Sequence, residues 1–168
     1  WDNQFIDCPP FVPQFNNHRG LYRRYIDVPA EWRGKQIFIH IGSATSNLTL
    51  WVNGKRVGYS EDSKLEAEFD ITKYIKAGQS NLFAMEIHRW CDGTYLEDQD
   101  FWRLSGIARD CYIYARDKAH IKDVKFTATL ANDYQDGVLN LNVDVTPSVK
   151  WVEVVLTDAN DNPYYKTR

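Results

Sequence analysis

The residues best equipped for chemistry lie in one run, Trp90 to Gly106, which holds four carboxylates (Asp92, Glu97, Asp98, Asp100) and four aromatics (Trp90, Tyr95, Phe101, Trp102). Sugars are bound by this mixture, because aromatic faces pack on the C–H patches of a pyranose while carboxylates and amides accept its hydroxyl protons. Hard cations, which take oxygen ligands, are suited as well. Three readings of the run stay open on its residues: a structural loop with its carboxylates solvated or paired to Arg103 and Arg109, a sugar or metal contact, and a glycosidase acid/base pair. The third needs two carboxyl groups about 5–5.5 Å apart on opposite sides of the scissile bond in a retaining enzyme. Glu97, Asp98 and Asp100 are too close in sequence to oppose one another in that way, so complete catalysis within this chain is not expected.

Other residue types offer less. His18, His40, His88 and His120 show no metal-ligand spacing, and neither a Gly-x-Ser-x-Gly elbow nor a phosphate-binding glycine loop occurs. Cys8, Cys91 and Cys111 are odd in number without a Cys-x-x-Cys spacing, which favours free thiols over a zinc site or a disulfide framework. Asn47-Leu48-Thr49 fits a glycosylation acceptor but precedes a strand, and chance explains it better. Trp51, between Leu50 and Val52, and Trp32 read as packing residues rather than sugar platforms.

The elements that must position the run are short and β-type. Strands are expected at 21–28, 36–41, 47–52, 56–59, 81–87 and 109–114, where β-branched and aromatic residues dominate runs too short for helices. Asn53-Gly54 predicts a tight hairpin turn with positive φ at both positions. Three of the six prolines fall in Pro9-Pro10-Phe11-Val12-Pro13, which reads as extended chain wrapping the domain. Helical pattern is confined to 71–76, at most one or two turns, with Asp70 as an N-cap. Strand-like runs resume at 121–130, 138–145 and 149–157 after the polar Arg116-Asp117-Lys118, so a second β domain begins there. With three or four strands against about seven for an immunoglobulin-like sandwich, that domain reads as cut short.

The 168 residues are 43% hydrophobic and 14% aromatic, enough for a packed core. A net charge of −3, from 20 basic and 23 acidic residues, provides no field for gripping nucleic acid. No run approaches the roughly 20 apolar residues that span a bilayer, so neither a membrane partner nor an anchor is expected. The first residues show no signal sequence either, and a leader would precede Trp1.

Taken together, Leu50 to Ser63 (Leu-Trp-Val-Asn-Gly-Lys-Arg-Val-Gly-Tyr-Ser-Glu-Asp-Ser), Glu68-Phe69-Asp70-Ile71 and Asp92 to Asp110 resemble the amino-terminal sugar-binding domain of family 2 glycoside hydrolases, specifically large bacterial β-galactosidases of the LacZ type. The resemblance runs from about Pro9 to Asp117. Trp-Val-Asn-Gly alone indicates the broader family, glucuronidases and mannosidases included, and it is the long acidic, aromatic run that selects galactosidase.

That resemblance implies an all-β chain: a jelly-roll (galactose-binding-like) β-sandwich over 1–117, then the first part of an immunoglobulin-like β-sandwich over 118–168. The (β/α)₈ barrel with the acid/base and nucleophile glutamates would lie outside the chain, which is expected to be inactive alone. The resemblance also implies that Asp100, last of the Glu-Asp-Gln-Asp run, binds both a galactose hydroxyl and a sodium ion, while Glu97, Asp98 and Arg103 hold the loop in shape. A second family contact, an Asn in a Thr-Asn segment, is expected before Trp1. For the parent enzyme the resemblance implies sodium and magnesium as cofactors, a β-galactoside substrate, contact with its own barrel, a homo-oligomer, and a bacterial cytoplasmic or periplasmic setting. The alternative is a stand-alone jelly-roll carbohydrate-binding module without enzymatic activity.

Overall fold

The computed structural model describes residues 9–12, 15–97, 102 and 104–168. The chain divides into two units, 1–115 and 116–168. Among the described residues all regular structure is β-strand apart from three single 3₁₀ turns, and no helix is long and apolar enough to cross a membrane.

The first unit is a sandwich of two sheets. One has the order β1 (Arg19–Asp27), β7 (Ser80–His88), β4 (Asn47–Val52), β5 (Lys55–Glu61), with every neighbouring pair antiparallel. The other has the order β6 (Ala67–Asp70), β2 (Gln36–Ile41), β9 (Cys111–Arg116). Alternation in the sequence builds the space between them. Along β2, Ile37, Ile39 and Ile41 point into the core while Phe38 and His40 face out, where they stack on Tyr114 and Tyr112 with ring centres 5.4 and 4.7 Å apart. Along β4, Leu48, Leu50 and Val52 are buried, and Phe83 and Ile87 of β7 complete the layer with Val28, Ala44 and Ile71. Each large aliphatic side chain buried here stabilises the fold by about 1.5–3 kcal/mol.

The turn at Asn53-Gly54 forms as its dipeptide requires, with φ of 51° and 78°. Asn53 has a further role: its side-chain amide donates to the Tyr74 carbonyl and to Asn81 Oδ1, both at 2.8 Å, and its Oδ1 accepts from the Leu82 N–H at 3.0 Å. Gly58 of β5 is needed for space, since a Cβ there would lie 2.3 Å from the Phe69 ring on the opposite sheet.

Several elements differ from the sequence reading. Strand β6 was not expected because Glu66 to Asp70 carries one large apolar residue, yet it pairs with β2 from Phe38↔Asp70 to Ile41↔Ala67. The helical turns expected at 71–76 reduce to a 3₁₀ turn, Thr72–Tyr74. Asp70 Oδ1 accepts from the Thr72 N–H at 2.9 Å and from its hydroxyl, and Asn81 Oδ1 then captures the Lys76 N–H at 2.8 Å, which ends the turn. Trp32 packs against the core and Trp51 is half-buried. Asn47 is buried, with its Oδ1 accepting the His88 N–H at 3.0 Å. Cys91 and Cys111 are free thiols, and Cys8 lies outside the described residues.

The second unit consists of two antiparallel ladders, β10 (Ile121–Ala131) with β11 (Asp136–Val145), and β12 (Val154–Thr157) with β13 (Pro163–Thr167). The first hairpin aligns Val124, Phe126 and Ala128 with Val143, Leu141 and Leu139, so apolar side chains share one face. Phe126 is nevertheless 71% exposed. The half-buried strand expected at 138–145 therefore has the right alternation and little cover. The run expected at 149–157 shortens to β12, and β13, which starts on a proline, escaped the sequence pattern.

Candidate functional site

The run from Asp92 opens with a 3₁₀ turn, Asp92–Tyr95, entered through a reciprocal cap: the Cys91 N–H donates to Thr94 Oγ1 at 3.1 Å and the Thr94 N–H to the Cys91 carbonyl at 3.1 Å. The Leu96 and Glu97 N–H groups both donate to the Gly93 carbonyl, at 2.9 and 3.1 Å, which closes the turn. Tyr95 donates its phenolic proton to the Phe11 carbonyl at 2.8 Å, so the proline-rich segment lies against this turn.

Asp100, the residue singled out for substrate and sodium, lies outside the described residues, as do Asp98, Gln99, Phe101 and Arg103. The flanks of that segment are defined. On its amino side Glu97 Oε1 accepts the Ser63 N–H at 2.9 Å. On its carboxyl side β8 (Gly106–Ile107) pairs with β3 (Ala44–Thr45). Leu96, Trp102 and Leu104 are exposed around it.

Arg109, a counter-ion in the structural loop reading, would pair there with carboxylates of which Asp98 and Asp100 lie outside the described residues. Its guanidinium donates to the Lys64 carbonyl at 2.7 Å and the Gly42 carbonyl at 3.3 Å, tying two chain crossings together. Its distance from the carboxylates in sequence gave no warning of this, because carbonyls leave no mark in a residue pattern.

Among the described residues, two concavities adjoin the run. The smaller, about 50 Å³, is lined by Thr45, Ser63, Thr94, Glu97, Trp102 and Ser105. It has room for a few waters at roughly 10–15 Å³ each and none for a sugar ring. The larger, about 750 Å³ and open, has Asn47, Tyr59, Glu61, His88, Trp90 and Asp92 in its wall.

In that wall a ligating atom from each of Glu61, Cys91 and Asp92 falls within 4.8 Å of the others. The two carboxylates suit a hard cation and the thiol a soft one. Glu61 is also already engaged, since Tyr59 donates its phenolic proton to Oε1. Sequence reasoning missed this corner because Glu61 stands thirty residues before Cys91, and only the packing of the end of β5 under the turn joins them.

Burial first, and then the hydrogen bond and negative charge of Glu61, push the Tyr59 phenol well above its ordinary pKa. An unfolded tyrosine ionises near pH 10. Below that pH both states keep the proton; above it only the folded state does, so stability is intact below pH 10 and declines as pH rises further. Tyr59→Phe should flatten the fall in melting temperature between pH 9.5 and 11, measured against the wild-type chain. Parallel curves for the two proteins would remove Tyr59 from this role.

Comparison with known proteins agrees with the architecture. Residues 5–117 match the family model described as glycosyl hydrolases family 2, sugar binding domain. A β-galactosidase of Priestia megaterium is 43% identical over 159 residues, covering 90% of this chain and 15% of that protein. A β-galactosidase of Clostridium acetobutylicum is 37% identical over 163 residues, covering 96% and 18%. The chain thus spans less than a fifth of the length of these relatives. Among solved structures, a β-glucuronidase of an uncultured Clostridium superposes with a TM-score of 0.76 at 22% identity, over 90% of this chain and 28% of that one. The β-glucuronidase of Dictyoglomus thermophilum gives 0.72 at 22%, over 90% and 29%.

Proposed function

Because this chain belongs to glycosyl hydrolase family 2, its residues 5–117 forming the sugar binding domain of that family, we propose that it is the amino-terminal part of a retaining β-galactosidase acting on terminal non-reducing β-D-galactose. What supports galactose over glucuronic acid is the relationship by sequence: 35–43% identity to β-galactosidases over most of the chain, against 22–24% to the glucuronidases that share its fold.

In this reading the two carboxyl groups that make and break the glycosidic bond come from the barrel of the parent enzyme. The present chain contributes scaffold and one contact. A carboxylate at Asp100 accepts a hydrogen bond from a galactose hydroxyl and shares its other oxygen with sodium, which orients the sugar without entering the bond-breaking step. Sodium and magnesium belong to the parent enzyme, and Asp100 is this chain's share of the sodium site. The second unit is the opening part of the immunoglobulin-like domain, whose remaining strands would cover the apolar face of β10 and β11.

The purified parent enzyme is expected to hydrolyse a nitrophenyl β-galactoside with retention of anomeric configuration and to leave the corresponding β-glucuronide essentially untouched. The purified 168-residue chain is expected to hydrolyse neither. Turnover by the chain alone, or a parent that prefers the glucuronide, would overturn the proposal.

A further inference from the structure

We propose that the cavity between the turns at 32–35 and 76–79 is a binding site for a monosaccharide that carries an oxyanion, either a phosphate or a carboxylate. Its lining shares no residue with the 90–106 run or with the two concavities beside that run. The site is therefore independent of the galactosidase reading.

The walls are built into the fold. In the first turn the Lys35 N–H donates to the Trp32 carbonyl at 3.1 Å, with Gly34 at a φ of 85°. In the second the Gln79 N–H donates to the Lys76 carbonyl at 3.2 Å, and the buried Asn81 accepts the Lys76 N–H at 2.8 Å. Three bonds fasten this region together: Gly78 N–H to the Val28 carbonyl at 2.8 Å, Val28 N–H to the Gln79 carbonyl at 3.1 Å, and the Arg33 guanidinium to the Ala77 carbonyl at 3.4 Å. The approach is close, since a Cβ on Gly78 would lie 3.2 Å from the Ala30 Cβ.

The cavity measures about 370 Å³, within the roughly 300–1,000 Å³ of small-molecule sites. Its lining is of two kinds. Trp32, Ile37, Ile75 and Ala77 are buried or half-buried and continuous with the apolar core. Arg33, Lys35, Lys76 and Gln79 supply three cations and an amide. Among the described residues none that lines it is acidic, although the whole chain holds 23 acidic residues against 20 basic. Asp70, two residues before Thr72 of the wall, is committed to the Thr72 N–H and hydroxyl.

This combination selects the ligand. A guanidinium has five N–H donors, of which the Ala77 carbonyl takes one from Arg33, and ammonium groups supply three each. A phosphate or carboxylate accepts such donors in charge-assisted bonds, roughly twice as strong as neutral ones. The ring carbons of the same sugar then have Trp32 and Ile75 to pack on. A bare inorganic ion leaves that apolar lining uncovered, and a neutral sugar leaves the cations unmatched.

Isothermal titration of the full parent enzyme tests the assignment. Glucose 6-phosphate, glucuronate or both are expected to bind at least about 10-fold more tightly than glucose and than inorganic phosphate. The tighter of the two identifies the preferred oxyanion. Lys76→Glu reverses a charge, and Gln79→Glu adds one without changing shape. Each is expected to weaken that binding by about 10-fold or more while leaving the melting temperature close to wild type, which shows the fold intact. Equal affinity in wild type and both variants would place the ligand elsewhere and overturn the assignment. So would the absence of binding by either anionic sugar up to about 10 mM, a weaker affinity than small-molecule recognition requires. Inorganic phosphate binding as tightly as glucose 6-phosphate would overturn the role of the ring.

Discussion

Replacing Asp100 by Ala in the parent enzyme is expected to reduce kcat/KM for a β-galactoside by about 10²- to 10³-fold, equivalent to about 2.7–4 kcal/mol of transition-state stabilisation. The size follows from the chemistry proposed for the group. A carboxylate in a closed, largely dry active site forms a charge-assisted hydrogen bond to one sugar hydroxyl, and such bonds are roughly twice as strong as neutral ones. Its loss leaves that hydroxyl and the cation each short of an oxygen. Asp100→Asn separates the two roles: the amide oxygen still accepts the hydroxyl proton, while the missing charge weakens the cation. The asparagine variant should therefore fall between wild type and the alanine variant in kcat/KM and show the larger change in response to added sodium. An alanine variant with unimpaired kcat/KM would instead make the loop a purely structural feature of a β domain.

The parts of this molecule that were legible in sequence are those dictated by local physics. The alternation in Gln36 to Ile41 and the apolar run Leu48 to Val52 place β2 and β4, and Asn53-Gly54 places the turn after β4, because period-two burial and positive φ both mark the residue types that provide them. Strand β6 was not legible, since four residues with one large side chain become a strand only when β2 offers its edge.

At the candidate site the run itself was conspicuous, as its carboxylates and aromatics are dense. The partners that hold it were not. Glu97 reaches a backbone N–H at Ser63, Arg109 reaches two carbonyls, and Glu61 approaches Cys91 and Asp92 only through the stacking of separate elements. In each case one partner is a backbone atom or lies tens of residues away, and a pattern of residue types contains neither. The role proposed for Asp100 rests on resemblance to a family, since three acidic residues within four positions do not announce which of them would meet a substrate.

The largest stability effect is expected at a residue that carried no functional signal. Asn81 is completely buried, at the start of β7 opposite Ile26, and every hydrogen-bonding capacity of its side chain is engaged. Its Oδ1 accepts from the Lys76 N–H and from the Asn53 side-chain amide, both at 2.8 Å, and its Nδ2 donates to the Gln79 carbonyl at 2.8 Å and the Lys76 carbonyl at 3.1 Å. The amide thus joins the 76–80 turn to the Asn53-Gly54 hairpin. Leucine has nearly the same shape and none of these bonds. Asn81→Leu leaves the Lys76 N–H and one hydrogen of the Asn53 amide without their acceptor in a part-buried network, and a polar group stranded in this way costs up to about 1–3 kcal/mol. A total loss of about 3–5 kcal/mol is expected, a large part of the roughly 5–15 kcal/mol that holds a typical domain folded. Because Asn53 shares the network, Asn53→Ala should destabilise by less when Asn81 is already leucine, a coupling that a double-mutant cycle in urea reads directly. A loss below about 1 kcal/mol for Asn81→Leu, or strictly additive effects of the two substitutions, would show that the hairpin and the turn are held by the apolar core alone.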